Sequence, residues 1–272
     1  MTTVMTDVPA SRPTTLRTVL AMTARDLRVI RRSFVMNTVR IVLQPLLFVF
    51  VFAYVLPEIG AAPGGGLSTV MVPGLVASSM IMQAMASIIF PLVMDLSVPG
   101  AMGDRVLAPI SVRAIGVQKI VTATIEGLVA GVLVFPVVIF VHARGEGPAL
   151  SVPDWPLLVG LMLIGALFAA AFGMYLGTII DPRQVQVLFT LVMFPAMMLG
   201  CVYFPWSALA GVRWLQWAVL VNPMVYLSEA LRAALTPQVT HMPVWVTTLV
   251  LGAGTVLFTI LALRSFVRRV TA

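Results

Sequence analysis

Six stretches of this chain are too long and too apolar for the interior of a water-soluble domain: residues 39–56, 70–94, 120–141, 157–180, 185–202 and 244–263. A helix needs about 20 mostly apolar residues to cross a hydrocarbon core of about 30 Å. Each stretch is of that order, and turn-forming residues separate them: Pro57 and residues 61–66, Pro99 with Gly100, residues 145–148, and Asp181 with Pro182. Composition agrees, with 60% of the 272 residues hydrophobic and 10% charged, against about 25% charged in soluble domains. The expected fold class is all-α and integral to the membrane, with six transmembrane helices. Residues 1–13, with Pro9 and Pro13, are expected to be a disordered tail, and 14–272 one transmembrane domain without internal repeats.

The charges set an orientation. Lys plus Arg number 17 against 10 Asp plus Glu, a net charge of +7. Fourteen of the 17 fall before the first stretch or, as Arg40, at its very start, in the second-to-third and fourth-to-fifth connections, and in the tail. Only Arg144, Arg213 and Arg232 fall on the other side. Cytoplasmic loops carry the arginine excess, so both termini are expected in the cytoplasm, and the charge reads as orientation rather than nucleic-acid binding. Trp155, Trp206, Trp214, Trp217 and Trp245 all lie on the opposite, outer side, where indoles favour the interface. No cleavable signal peptide is expected, because the first apolar run is long, begins near residue 39 and is followed by five more.

Three further segments have a readable organisation. Residues 208–221 are apolar but short, begin near Arg213 and end at Asn222 and Pro223. Residues 203–235 therefore read as helices that enter the outer leaflet and return, which needs protein cover for the backbone. Residues 14–36 form an amphipathic interfacial helix in which Leu16, Val19, Leu20, Leu27, Ile30 and Phe34 share one face and Arg17, Arg25, Arg28, Arg31 and Arg32 gather beside it. The alternative is a basic tail without fixed structure. The connection 95–119 mixes Val106, Leu107, Ile110, Val112 and Ile115 with Asp104, Arg105 and Arg113. It reads as a short helix packed on a partner, or laid on the membrane surface.

Several chemistries are missing. There is no G-x-x-x-x-G-K-[ST] loop, and Ile120 and Val121 follow Lys119, the only lysine. Cys201 is the only cysteine, and His142 and His241 stand apart without ligand-spaced partners, so neither a disulfide nor a metal site is expected. No hydrolase motif is present. An ion-driven carrier needs ionisable groups near the midplane, and the one clear candidate is Glu126. That carboxylate is either structural, reaching an inner-side arginine or a subunit interface, or it lines a transport path.

Three stretches together resemble the type-2 permease subunits of ATP-binding cassette (ABC) transporters, including the daunorubicin- and multidrug-resistance type export permeases. They are RDLRVIRRSFVMNTVRIVLQPLLFVFVFAYVL, DRVLAPISVRAIGVQKI and LGCVYFPWSALAGVRWLQWAVLVNPMVYLSEALRAAL, in this order on six spans. The resemblance covers 16–269. It implies a half-transporter of a bacterial plasma membrane that exports a hydrophobic or amphipathic, drug-like compound. Two copies of a separate ATPase would carry ATP and Mg, with no cofactor bound by this chain. A second permease subunit, identical or a sibling, would complete the pathway among membrane lipids. By the family pattern Arg105, Leu107, Ala108, Pro109, Ile110, Ser111 and Arg113 would couple to the ATPase. The helix of Arg25, Asp26, Arg28, Arg31 and Arg32 would flank that contact. Phe204, Pro205, Asn222, Pro223, Tyr226, Glu229 and Arg232 would form the outer gate. The run DLSVPGAMGDR departs from the acidic, glycine-containing run common before the coupling segment. Rival readings are export of a lipid or lipid-linked glycan, an ion-driven carrier, and a non-transporting anchor or sensor.

Local physics fits these roles. Asn222 before Pro223 suits a helix start. Glu229 and Arg232, three residues apart, can pair for about a few tenths of a kcal/mol if exposed. Gly127 with Gly131 and Gly173 with Gly177 are G-x-x-x-G pairs that permit close helix approach. The methionines, Met71, Met80, Met82, Met85, Met174, Met193, Met197 and Met198 among them, are either a soft substrate surface or ordinary packing.

Overall fold

A computed structural model describes residues 15–32, 34–59, 66–97, 111–142 and 147–271. These residues are almost entirely helical, with no strand among them. Helix α1 spans Thr15–Arg32, and α2 runs Phe34–Val49 and continues through a π-helical segment, Phe50–Val55. Next come α3 (Leu67–Ser97), α4 (Val112–Phe140) and α5 (Trp155–Ile179). Residues 185–198, here α6, comprise Val185–Val187, a π segment Leu188–Met193, and Phe194–Met198. Then follow the short α7 (Arg213–Ala218), α8 (Pro223–Leu235) and α9 (Val244–Thr271). Each π segment sits four residues before a proline, Pro57 for Ala53 and Pro195 for Leu191. A proline has no amide hydrogen for the α-helical bond, and a wider turn absorbs the loss.

Helix α3 lies at the centre. Residues 71–80 are buried without interruption, as befits a helix apolar all round. Both G-x-x-x-G pairs face it. A Cβ on Gly127 would stand 2.9 Å from the Ala84 Cβ, and one on Gly173 would stand 3.0 Å from the Met85 Cα. The glycines thus let α4 and α5 press on α3 from two sides. Helix α9 packs on α5 through Phe258, whose ring lies 4.8 Å from Phe172 and 5.8 Å from Phe168. Met71, Met80, Met85 and Met174 are buried among these helices, which favours the packing reading for them.

Hydrogen bonds define two ends. At one, the Ala149 amide donates to Thr69 Oγ1, the Ser151 amide to the Leu235 carbonyl, and Arg232 to the carbonyls of Val70 and Cys201. This is the tryptophan end, where Trp155 and Trp245 begin α5 and α9 and are mostly exposed. At the other, the arginine end, Lys119 bonds Asp95 at 3.0 Å, Gln118 bonds Asp26 at 2.7 Å, and Arg269 donates to the Thr178 carbonyl.

Among the described residues, five helices are individually long and apolar enough to cross a membrane: α2, α3, α4, α5 and α9. Helix α6 is shorter than the 185–202 stretch implies. It nonetheless runs from end to end, since it follows Thr178 at the arginine end and leads to Val202, whose backbone abuts Gly74 near the start of α3. Residues 182–198 cover about 25 Å at 1.5 Å per residue, and the turn at 199–202 completes the crossing. Residues 213–221 and 223–235 are bent by 99° at Asn222. Both ends of this pair return to the tryptophan end, so it is re-entrant.

Helix α1 is more than a lipid-facing amphipath. Its Asp26 accepts from Gln118 on α4, and Thr23 is buried, while Leu20 remains largely exposed. Of the helix expected over 14–36, Thr15–Arg32 belongs to α1 and α2 is described from Phe34, with Ser33 outside the described residues.

Candidate gate and substrate pathway

The re-entrant pair is held by a buried ion pair. Glu229 and Arg232 lie on one face of α8, each with at most 1% of its side chain exposed, and Arg232 Nη1 donates to Glu229 Oε1. Most of the remaining hydrogen-bonding capacity goes to backbone, while the buried Arg232 Nε has no hydrogen-bond partner among the described residues. Glu229 Oε1 accepts from the Trp206 amide and Oε2 from the Met242 amide, both at 2.9 Å. Arg232 Nη2 donates to the carbonyls of Cys201 at 2.9 Å and Val70 at 3.3 Å. One pair therefore ties α8 to the start of α3, the turn after α6 and the chain entering α9. The value of a few tenths of a kcal/mol that holds for an exposed pair does not apply: both charges are withdrawn from solvent, and removing either partner alone costs about 3–5 kcal/mol. Sequence spacing shows that the two can meet, but the backbone atoms that share them come from distant segments.

Cys201 aims its carbonyl at Arg232 from a left-handed backbone, φ 52°. Outside glycine that conformation is uncommon and costs free energy, so the surrounding contacts hold it.

At the deep tip of the hairpin, Asn222 accepts from the Met224 amide at 3.0 Å, and its amide nitrogen donates to the Ala196 carbonyl in α6. Pro223 occupies the first helical turn. Asn222 thus both caps α8 and fastens it to α6, and the second role was not visible in the sequence. Tyr226 donates to the Leu220 carbonyl at 2.9 Å, closing the bend. Phe204 packs partly buried beside Cys201 and Val225, and Pro205 precedes the 3-10 turn Trp206–Gly211. An apolar cavity of about 310 Å³ lies beneath this tip, bounded by Ile81, Met85, Phe172, Met193 and Pro223.

Glu126 is half-buried midway along α4 and accepts from Gln83 Nε2 of α3 at 3.0 Å. Among the described residues its partner is thus an amide; of the inner-side arginines, the side chains of Arg31, Arg32, Arg40 and Arg105 lie outside the described residues. Gln83 in turn borders a cleft of about 330 Å³ between α2, α3 and α6, with Gln44, Ser78, Ser79 and Gln186. A search of the spans for ionisable groups alone passes over these residues. Four neutral polar side chains at 44, 78, 79 and 83 inside apolar stretches are the signal that locates the cleft.

Of the coupling residues, Arg105, Leu107, Ala108, Pro109 and Ile110 lie outside the described residues. Ser111 caps α4, accepting from the Ala114 amide at 3.3 Å. Arg113 is exposed one turn on and borders a groove with Arg264 and Arg268 of α9. On α1, Arg25 reaches Asp26 at 3.5 Å and Arg28 donates to the Ala24 carbonyl. Arg31 and Arg32 are the last residues of that helix.

No described group of three His, Cys, Asp or Glu can hold a metal ion. The arrangement is a helical bundle whose tryptophan end is tied together by one buried ion pair. The family profile described as ABC-2 type transporter matches residues 17–236. The chain belongs to the ABC-2 type transporter family. It is a multi-pass membrane permease subunit of an ABC transporter, and the match covers α1 through the end of α8, which includes the latch and the cleft. No curated protein matches the chain.

Proposed function

We infer that this ABC-2 permease is the membrane half of an ATP-driven exporter, moving a hydrophobic or amphipathic compound outward by alternating access. Two copies of a separate ATPase supply the energy, and a second permease subunit completes the pathway. The arginine end faces the cytoplasm of a bacterial inner membrane. The segment Arg105 to Arg113 docks on the ATPase, flanked by α1. ATP shifts the population between closed and open outer ends, to the extent that the nucleotide-bound ATPase favours one of them.

The observation that carries this reading is the Glu229 and Arg232 network. A single ion pair joins the re-entrant helix to three other segments at the tryptophan end and seals it, as an outer gate in its resting state should be sealed. Its partners are backbone groups of separate elements, so movement of α3 relative to α6 breaks the set together. Drug-like cargo is favoured over a lipid-linked glycan by the modest size of the cleft, about 330 Å³.

The test is reconstitution of the permease with its ATPase in vesicles. ATP-dependent movement of a fluorescent amphiphile is expected, with co-purification of the ATPase abolished in the Leu107→Asp, Ile110→Asp double variant. Retention of the ATPase by that variant removes the docking assignment. Flux driven by an ion gradient without ATP assigns the chain to the carrier class instead, and absence of flux under any energy source assigns it to the anchors or sensors.

A further inference from the structure

The cleft between α2, α3 and α6 has a one-sided hydrogen-bond character. Ser78 and Ser79 each donate their only hydroxyl proton to the Leu75 carbonyl, at 3.0 and 2.8 Å. Both oxygens keep lone pairs and have no proton left to give. Gln83 gives one amide N–H to Glu126, and Gln44 turns one of its own toward Met197 Sδ at 3.3 Å, each keeping a second N–H. Each also offers its carbonyl oxygen to other partners. Gln186 stands exposed at the rim and can present either arm of its amide.

Three other features point the same way. Phe90 and Phe189 stack with ring centroids 5.0 Å apart and border the cleft. Aromatic faces attract cations. The Glu126 carboxylate stands directly behind Gln83 and polarises its amide toward a negative outer oxygen. Among the described residues no lysine, arginine or histidine borders the cavity. The cleft is thus lined mainly by acceptors, aromatic faces and thioethers, with a carboxyl group behind them.

We propose that this cleft is a binding site for an organic ammonium ion that carries N–H donors on an aromatic or aliphatic body. The N–H groups meet the oxygens of Ser78, Ser79, Gln83 and Gln44, and the apolar body lies against Phe90 and Phe189. Glu126 acts as a positioning residue, holding Gln83 with its acceptor outward and supplying the field. The biological meaning, recognition of an amine cargo, rests on the export reading above. The binding itself does not.

The experiment uses the full chain in lipid nanodiscs, with empty nanodiscs subtracted, and four probes of one shape: 1-naphthylmethylammonium, its N-trimethyl analogue, 1-naphthylmethanol and 1-naphthylacetate. The ammonium is expected to bind about tenfold or more tighter than the alcohol, as for hydrogen bonds to a charged group. The trimethyl analogue, with charge and no N–H, should fall between, and the carboxylate should bind weakest. Glu126→Gln and Gln83→Met should each erase most of the ammonium's advantage over the alcohol, with a monodisperse size-exclusion peak reporting that the variants are folded. Equal affinities for ammonium and alcohol, or tighter binding of the carboxylate, overturn the proposal. So does an unchanged ammonium preference in both variants. Preferential ammonium binding without ATP-driven flux in the reconstituted complex leaves the site in place and refutes the exporter reading.

Discussion

At the scale of single residues, the buried pair of Glu229 and Arg232 shows how little a side chain's identity says about its energetics until its surroundings are known. Three-residue spacing on a helix means a weak surface pair in water and a tightly constrained network when both groups are withdrawn from solvent. Each charge also satisfies backbone groups, so deletion leaves orphans on other segments. Arg232→Met is expected to destabilise the detergent-solubilised protein by about 3–5 kcal/mol, read as a lowered melting temperature. The double variant Glu229→Gln, Arg232→Met should recover only part, because the carbonyls of Val70 and Cys201 stay without their donor. A wild-type melting temperature for Arg232→Met sinks the latch. The pair's proximity was legible in the sequence. Its burial was not, since that depends on α3 and the Cys201 turn lying across α8.

At the scale of elements, glycine positions decide how closely helices meet. A Cβ on Gly74 of α3 would lie 2.1 Å from the Val202 carbonyl oxygen, a backbone atom that cannot turn aside. Gly160 of α5 has nothing within 4 Å of its Cβ position. Gly74→Ala should therefore lower thermal stability and disturb the turn that carries Cys201. Gly160→Ala should be neutral or stabilising by up to about 1 kcal/mol, as expected for alanine over glycine in a helix. Matching melting temperatures for the two variants contradict this packing. The G-x-x-x-G pairs at 127/131 and 173/177 were readable as spacing. That both face the same helix was not, and neither was the importance of Gly74, which belongs to no motif. The π segments belong to this scale too. Pro57 is visible in the sequence as a breaker and Pro195 lies inside an apolar stretch; in both places the helix widens into a π turn before the proline and runs on to Glu58 and to Met198.

At the scale of the whole molecule, the distribution of charge sets a direction that can be measured. In a Cys201→Ser background, a cysteine at Gln238 on the tryptophan end should react with an impermeant maleimide from outside intact cells. One at Arg183, in the connection after α5, should react only after permeabilisation. The reverse pattern inverts the orientation. The native Cys201 is fully buried and should stay unlabelled in either case while the fold is intact. Long apolar stretches, the arginine bias and the Asn222 and Pro223 pair by themselves determined a helical membrane protein with a re-entrant segment, and the resemblance of three stretches pointed to its family. These are consequences of transfer free energy and local backbone chemistry, which act along the chain. Only the tertiary structure decided that α6 crosses although short, that Asn222 ties α8 to α6, that Asp26 meets Gln118, and that neutral polar residues from three helices face one cleft. Each of those depends on atoms distant in sequence sharing hydrogen bonds in a medium that offers no competing water. Helix packing, which periodicity alone leaves open, selects those partners.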